Sequence, residues 1–180
     1  MKEKRINPLT VQSKQWLLDA LLQLMNEKSY GEITIKELTG RAGLDRKTFY
    51  RHFRSKEELL ELPLKEVFDQ YVGRIADLSD MTSYEVVKAY FDLCRQYADY
   101  LTLLHRHGLI MIFLMKLSEY LPVLNDMFKD NPVYRSKTAW ELTYEAGGIW
   151  NATVRWISTG ARETPEEMAG IIGLIAPPLL

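Results

Sequence analysis

Two short helical segments separated by a glycine turn constrain the fold of this chain more than any other feature. Thr34-Ile-Lys-Glu37 has the form of a capping box, in which the threonine hydroxyl and the glutamate carboxylate each satisfy a free amide. Gly43 permits the left-handed backbone of a tight helix exit. Asp45 is a favourable N-cap for a further helix over residues 46–52. Two short helices joined in this way predict a helix-turn-helix.

A longer amphipathic helix is predicted before this motif, over residues 11–28, because its apolar residues recur at steps of three and four. Phe49 and Phe53 are spaced i, i+4, so we expect them to pin the third helix onto the first two. The remaining side chains of the third helix then lie on or near its outer side: Arg46, Lys47, Thr48, Tyr50, Arg51 and His52.

The rest of the chain has helical spacing of apolar residues and no convincing strand alternation. The predicted helices cover about 56–76, 84–98, 100–119, 121–129, 135–160 and 165–175. We therefore predict an all-α protein of about nine helices. It consists of a three-helix helix-turn-helix domain, residues 1–58, and a helical effector-binding and dimerisation domain, residues 59–180.

Charge is divided unequally between these two parts. Residues 1–58 hold 12 Lys and Arg against 8 Asp and Glu, whereas residues 59–180 hold 11 against 16, so the N-terminal part suits a polyanion. Cys94 is the only cysteine, which excludes a disulfide within the chain and favours a packing role. No apolar run is long enough to cross a membrane and no signal-peptide core follows Met1, so we expect a cytoplasmic protein.

Signatures of catalysis are missing from the sequence. It has no nucleophile elbow and no phosphate-cradling glycine loop. His105 and His107 are two residues apart, so on a helix they point in different directions and cannot bind one metal together. We therefore expect no enzyme activity, no catalytic residue, no metal site and no cofactor.

Segment 33–60 resembles the DNA-binding signature of the TetR/AcrR family of transcriptional regulators. The positions in register are Thr34, Leu38, Ala42-Gly43, Thr48-Phe49-Tyr50, His52-Phe53 and Ser55-Lys56-Glu57. The C-terminal half, through Gly147-Gly148-Ile149, Arg155-Trp156 and Thr164-Pro165-Glu166-Glu167, is similar to the subgroup that includes dihydroxyacetone-kinase-type regulators. The resemblance implies a homodimer that binds a palindromic operator in double-stranded DNA, and a repressor that a small-molecule effector releases.

The DNA-binding residues follow from helix position and from this resemblance. Arg46, Lys47 and Thr48 lie at the N-terminal end of the third helix, where side chains reach base edges in the major groove. The resemblance assigns phosphate contacts to Tyr50 and His52, a base contact to Lys36 and a backbone contact to Thr34. Lys56 adds a cation at the start of the fourth helix, where free amides and the helix dipole favour phosphate. Arg51 is a further candidate on the outer side. The alternative is that Arg46, Lys47 and Arg51 are solvated charges and that His52 is a packed structural residue.

An effector pocket is predicted in the second domain, since aromatic residues and methionines suit apolar ligands. The candidates, which helical spacing also allows as plain core residues, are Tyr90, Tyr97, Met111, Met115 and Tyr144. One alternative is a regulator of the same fold that a protein partner controls. Another is an enzyme or a plain ligand-binding protein with a degenerate helix-turn-helix, against which the intact basic and aromatic positions argue.

Two further features concern assembly and helix geometry. Gly147-Gly148 would weaken an isolated helix by roughly 1 kcal/mol each, which fits a helix that approaches a second subunit closely and, with the last helix, forms a four-helix bundle across a two-fold axis. The alternative is that both glycines make room for a helix of the same subunit. Pro63 is predicted to kink or break the fourth helix near Leu62, which suggests a hinge.

Overall fold

The computed structural model describes residues 8–78, 82–127, 129 and 137–175, and all regular structure in this part of the chain is helical. The prediction of an all-α fold is confirmed. The described residues hold a 3₁₀ turn at Tyr30–Glu32 and nine α-helices: α1 Pro8–Glu27, α2 Ile35–Arg41, α3 Arg46–His52, α4 Lys56–Ala76, α5 Ser83–Gln96, α6 Ala98–Arg106, α7 Met111–Met127, α8 Ala139–Ser158 and α9 Pro165–Ile175. None of these helices has the length and apolarity that a membrane span requires.

The chain divides into two compact units, of which the first ends at Leu62 and the second begins at Pro63. The division into domains at residue 58 stays a prediction. In the first unit, α1 packs against α2 and α3, and α2 packs against α3. The core of this unit is apolar, and burial of each large side chain contributes about 1.5–3 kcal/mol. Its most deeply buried side chains include Leu17, Leu21, Met25, Leu38 and Phe49.

The second unit is held together by α5 packed on α9, α8 packed on α6 and α7, and a core rich in aromatic rings. Phe68 stacks on Phe113 with ring centroids 5.3 Å apart. Phe91 meets the edge of Trp156 at 5.5 Å. A buried hydrogen bond of 2.8 Å joins the Tyr90 hydroxyl to Thr153 Oγ1, so a polar pair inside this core is satisfied.

The predicted helix over residues 100–119 is wrong, because the structure divides this stretch in two. α6 ends at Arg106 and α7 begins at Met111. Gly108 lies between them with a φ of +70°, a left-handed conformation that ends a helix. The separate short helix predicted over residues 121–129 is also wrong, since α7 continues through Pro122 to Met127.

α4 passes through Pro63 without ending, so the predicted break near Leu62 is not observed. Proline has no N–H, and the Leu59 carbonyl therefore lacks its usual partner four residues later. On either side of the proline, Leu60, Leu64 and Val67 are buried. Burial of several apolar side chains outweighs the loss of about 3 kcal/mol that an internal proline causes. The hinge role of Pro63 stays a prediction.

Candidate nucleic-acid interface

A short turn and a side-chain cap fix the start of α3. Gly43 has a φ of +66°, and the Leu44 amide donates to the Thr39 carbonyl at 2.9 Å. The predicted N-cap is confirmed, since Asp45 Oδ1 accepts a hydrogen bond of 2.6 Å from the Thr48 amide. This backbone hydrogen bond lowers the pKa of Asp45, so the carboxylate stays ionised and the cap holds at neutral pH.

α3 has one buried face and one exposed face. Phe49 is fully buried, and its ring lies 5.8 Å from that of Phe53, as the i, i+4 spacing predicts. Tyr50, the next residue in the chain, is 55% exposed. Thr48 and His52 are half-buried at the border. The side chains of this helix that reach furthest into solvent are Arg46, Lys47, Tyr50 and Arg51.

Thr34 and Lys36 are both exposed near the start of α2. The predicted capping box is present: the Glu37 amide donates to Thr34 Oγ1 at 3.2 Å, and the Thr34 amide donates to the Glu37 carboxylate at 3.0 Å. The Thr34 hydroxyl also donates to Glu37 at 2.8 Å. Thr34 therefore has a structural function at this helix end, and its contact with the DNA backbone stays a prediction.

Lys56, at the start of α4, has contacts that the sequence did not predict. Its ammonium donates to the backbone carbonyls of Tyr30 and Ile33 at 2.8 and 2.6 Å, and it lies 4.1 Å from the centroid of the Tyr30 ring. Burial lowers the pKa of Lys56. The Tyr30 hydroxyl in turn donates to Glu57 at 2.6 Å. Lys56 thus binds the 3₁₀ turn to the first turn of α4, and its predicted phosphate contact stays untested.

Replacing Lys56 with methionine, which keeps the length of the side chain, is expected to lower the free energy of unfolding by about 1–3 kcal/mol. The two carbonyls lose a charged donor, and such hydrogen bonds are stronger than neutral ones. Lys36→Met serves as the control, since exposed Lys36 should change stability by no more than about 0.5 kcal/mol. Both variants are compared by chemical denaturation. If Lys56→Met lost DNA affinity at unchanged stability, the ammonium would have its main role on phosphate instead.

Several cations of the first unit have partners that sequence spacing could not identify. Arg41 makes a two-pronged ion pair with Glu27, at 2.7 and 2.8 Å, which neutralises part of the basic stretch. Lys14, on α1, was not predicted as a site residue. Its Nζ lies 5.7 Å from the centroid of the ring of Phe53, the residue that caps the C-terminal end of α3. Lys14 and Phe53 are far apart in the sequence, so no local pattern could indicate that they lie close together.

The five residues predicted to line an effector pocket lie on four helices or their ends. Tyr90 is buried, and the half-buried Tyr97 accepts a hydrogen bond of 3.1 Å from Gln70. Three candidates have most of their side chain exposed: Met111 at 53%, Met115 at 62% and Tyr144 at 76%. Their assignment to an effector stays a prediction.

The first unit contains a helix-turn-helix whose second helix, α3, is capped by Asp45 and carries exposed cations. Residues 17–62 match the family model described as bacterial regulatory proteins, tetR family. Residues 17–62 therefore carry a domain of the tetR family. An uncharacterized HTH-type transcriptional regulator, YxbF of Bacillus subtilis (strain 168), is 30% identical over 89 residues. The aligned segment is 49% of this chain and 23% of that relative, so the chain spans about a quarter of the relative's length.

Solved TetR-type structures resemble the chain over most of its length. The transcriptional regulator FadR from Bacillus subtilis, solved in complex with stearoyl-CoA, is 16% identical with a TM-score of 0.60, covering 88% of this chain and 94% of that one. The dihydroxyacetone kinase operon activator DhaS is 21% identical with a TM-score of 0.56, covering 91% of this chain and 93% of that one. At these identities the likeness concerns the fold alone.

Proposed function

We propose that this chain is a sequence-specific transcriptional regulator of the TetR family whose α3 enters the major groove of DNA. The observation that carries the proposal is the exposure of Arg46, Lys47, Tyr50 and Arg51 on a helix that Phe49 holds in place. A helix of two turns fits the major groove, and guanidinium and ammonium groups are suitable donors to guanine. Such a regulator acts on the chromosome, so the proposal places the chain in the cytoplasm and assigns it no catalytic activity.

The exposed residues divide into two classes by position. Arg46, Lys47 and Thr48 lie in the first turn of α3, the end that meets base edges in helix-turn-helix proteins. Tyr50 and Arg51 lie in the later part of the helix, where hydroxyl and guanidinium groups suit phosphate. Lys36 and Thr34 extend the proposed contact to the start of α2. We propose that the residues in the first turn of α3 determine sequence preference and that the residues later in the helix determine affinity.

Lys47→Ala and Tyr50→Ala are expected to change binding in different ways. Binding sequences are first selected from a random duplex pool, and affinities are then measured for the preferred duplex and for single-base variants. Lys47→Ala should alter preference by about 1–3 kcal/mol at the base that it contacts. Tyr50→Ala should weaken binding to every duplex by a similar factor. The affinity of the wild type should fall steeply with salt, since phosphate contacts release counterions. Unchanged affinity and preference in both variants would refute the proposal.

A homodimer is proposed through the exposed faces of α8 and α9. Trp140 and Tyr144 are 84% and 76% exposed on α8, and Leu174 is 88% exposed on α9. A Cβ added at Gly148 would meet no heavy atom within 4 Å apart from its chain neighbours and the backbone of its own helix, which favours a close approach by a second subunit over accommodation of a helix within the subunit. Large exposed aromatic side chains in one region are typical of interfaces. Two-fold symmetry then requires a palindromic operator.

The regulator is further proposed to be a repressor that an apolar small molecule releases. Support comes from the aromatic core of the second unit, around Tyr90, Phe113 and Trp150, and from the likeness to FadR, whose structure contains stearoyl-CoA. Stearoyl-CoA is therefore the first probe, tested for its effect on affinity for the selected duplex. The second candidate, control by a protein partner, is favoured by the exposure of Met111 and Met115 on α7. Operator release by stearoyl-CoA would decide for a small molecule.

A further inference from the structure

Two basic side chains from different helices flank the Phe53 ring in the first unit. The Lys14 ammonium of α1 lies 5.7 Å from the ring centroid. The imidazole of His52, at the end of α3, meets the same ring edge-on with centroids 6.3 Å apart. Phe53 itself is 5% exposed, so it forms a fixed apolar surface near which the ammonium group and the imidazole both lie.

We propose that Lys14 and His52 together bind one phosphate group of the DNA backbone and that the His52 ring takes up a proton when this phosphate binds. The inference rests on the proposed function and adds both a residue and a regulation to it: α1 contributes to the interface, and affinity depends on pH. The ligand is a phosphodiester, which carries one negative charge and accepts hydrogen bonds from both groups.

Electrostatics explain why the proton is absent before DNA binds. Burial lowers the pKa of His52, and the charges of Lys14 from α1 and Arg51 from its own helix lower it further. Arg51 Nη2 donates to Thr48 Oγ1 at 3.2 Å, which keeps this cation close to α3. With a pKa below the usual value of about 6.5, His52 is mainly neutral at neutral pH. Three basic groups, His52, Lys14 and Arg51, are thus close together, while the carboxylate of Asp45, at the start of α3, interacts with Arg51.

A bound phosphate is expected to raise the pKa of His52. The diester places a negative charge beside the imidazole and favours its protonated form, and the added proton comes from water while the diester keeps its single charge. The complex therefore holds more protons than the separate molecules at pH values between the free and bound pKa of His52. By linkage, affinity must rise as pH falls through this interval, by up to about tenfold per pH unit for each chain. Below the free pKa it levels off.

The test measures the affinity of the full-length protein for a fluorescent mixed-sequence duplex between about pH 5.5 and 8 at constant ionic strength. The wild type is expected to bind more tightly as pH falls. His52→Gln retains a hydrogen-bond donor but cannot titrate, so its affinity should change much less with pH. His105→Gln is the matched control, because His105 lies on α6 in the second unit. This variant should keep the full pH dependence.

Lys14→Gln separates the two parts of the proposed site. Loss of one phosphate contact should weaken binding at every pH and reduce the slope of log K against log salt by about 0.9. Loss of a neighbouring cation should also raise the pKa of His52 in the free protein. The pH dependence should therefore persist in this variant and extend to higher pH than in the wild type.

An NMR titration of the His52 ring in the wild type, with and without the duplex, avoids any effect of substitution on folding. A higher pKa in the complex supports the proposal. An unchanged His52 pKa, or the same pH dependence in His52→Gln as in the wild type, would overturn it while leaving the proposed function in place. If the wild type bound neither this duplex nor any selected one at any of these pH values, the proposed function itself would fail.

Discussion

Replacing Gly148 with glutamate is expected to abolish dimerisation and to leave the subunit folded. Gly148 is exposed on α8, and an added Cβ would meet no heavy atom within 4 Å apart from its chain neighbours and the backbone of its own helix. Glutamate is also a better helix former than glycine by roughly 0.5–1 kcal/mol. In the proposed interface, however, the carboxylate would be buried against the second subunit without a partner. Sedimentation should give half the mass of the wild type.

Gly73→Glu provides the matched control for this experiment. Gly73 is an exposed glycine inside α4 and has the same open surroundings, but it lies outside the proposed interface of α8 and α9. This variant should remain dimeric and bind DNA normally, whereas Gly148→Glu should lose most of its affinity for a palindrome, since two half-sites are no longer bound together. A wild type that sediments as a monomer at micromolar concentration would contradict the dimer proposal, as would a dimeric Gly148→Glu.

Phe49→Ala is expected to have the largest effect on stability in the first unit, lowering its free energy of unfolding by about 3–5 kcal/mol. The Phe49 side chain is fully buried and is in contact with the rings of Tyr50 and Phe53. Its removal leaves a cavity beneath the helix that carries the proposed base contacts. DNA affinity should fall with stability, because α3 loses the contact that fixes its orientation.

Tyr50→Ala is the natural comparison, one residue further along the same helix. Its ring is 55% exposed, so the effect on stability should stay near 0.5 kcal/mol while DNA binding is lost. The two substitutions are thus expected to weaken DNA binding by different mechanisms. Phe49→Ala destabilises the fold, whereas Tyr50→Ala removes a contact with DNA. Hydrogen exchange of α3 amides distinguishes them. Equal protection of α3 in the Phe49→Ala variant and the wild type would contradict the proposed anchoring role.

Local sequence signals predicted the helix-turn-helix correctly. A capping box spans four residues, and the Asp45 cap bonds to an amide three residues later, so each can be identified from neighbouring residues alone. The i, i+4 spacing of Phe49 and Phe53 likewise determines which side of α3 is buried. These features depend on backbone geometry within one or two turns, and they are independent of the rest of the fold.

The contacts that sequence could not predict depend on distant segments. Lys56 bonds to carbonyls 26 and 23 residues earlier, and its charge alone suggested only a phosphate contact. The helix ends around α7 were mispredicted for a different reason: Gly108 adopts a left-handed φ, whereas Pro122 is accommodated within a helix. Glycine and proline can each either end a helix or be accommodated within one, and tertiary packing decides which of the two occurs.

Pro63 has a consequence for how the protein loses its structure. The proline interrupts the backbone hydrogen bonds of α4 at the residue where the second compact unit begins. Helical order propagates through successive hydrogen bonds, so the missing bond weakens cooperativity between the two halves of α4. We expect two unfolding transitions instead of one, in which case a single melting temperature would describe neither unit. Trp16 reports on the first unit, and the tryptophans of α8 report on the second.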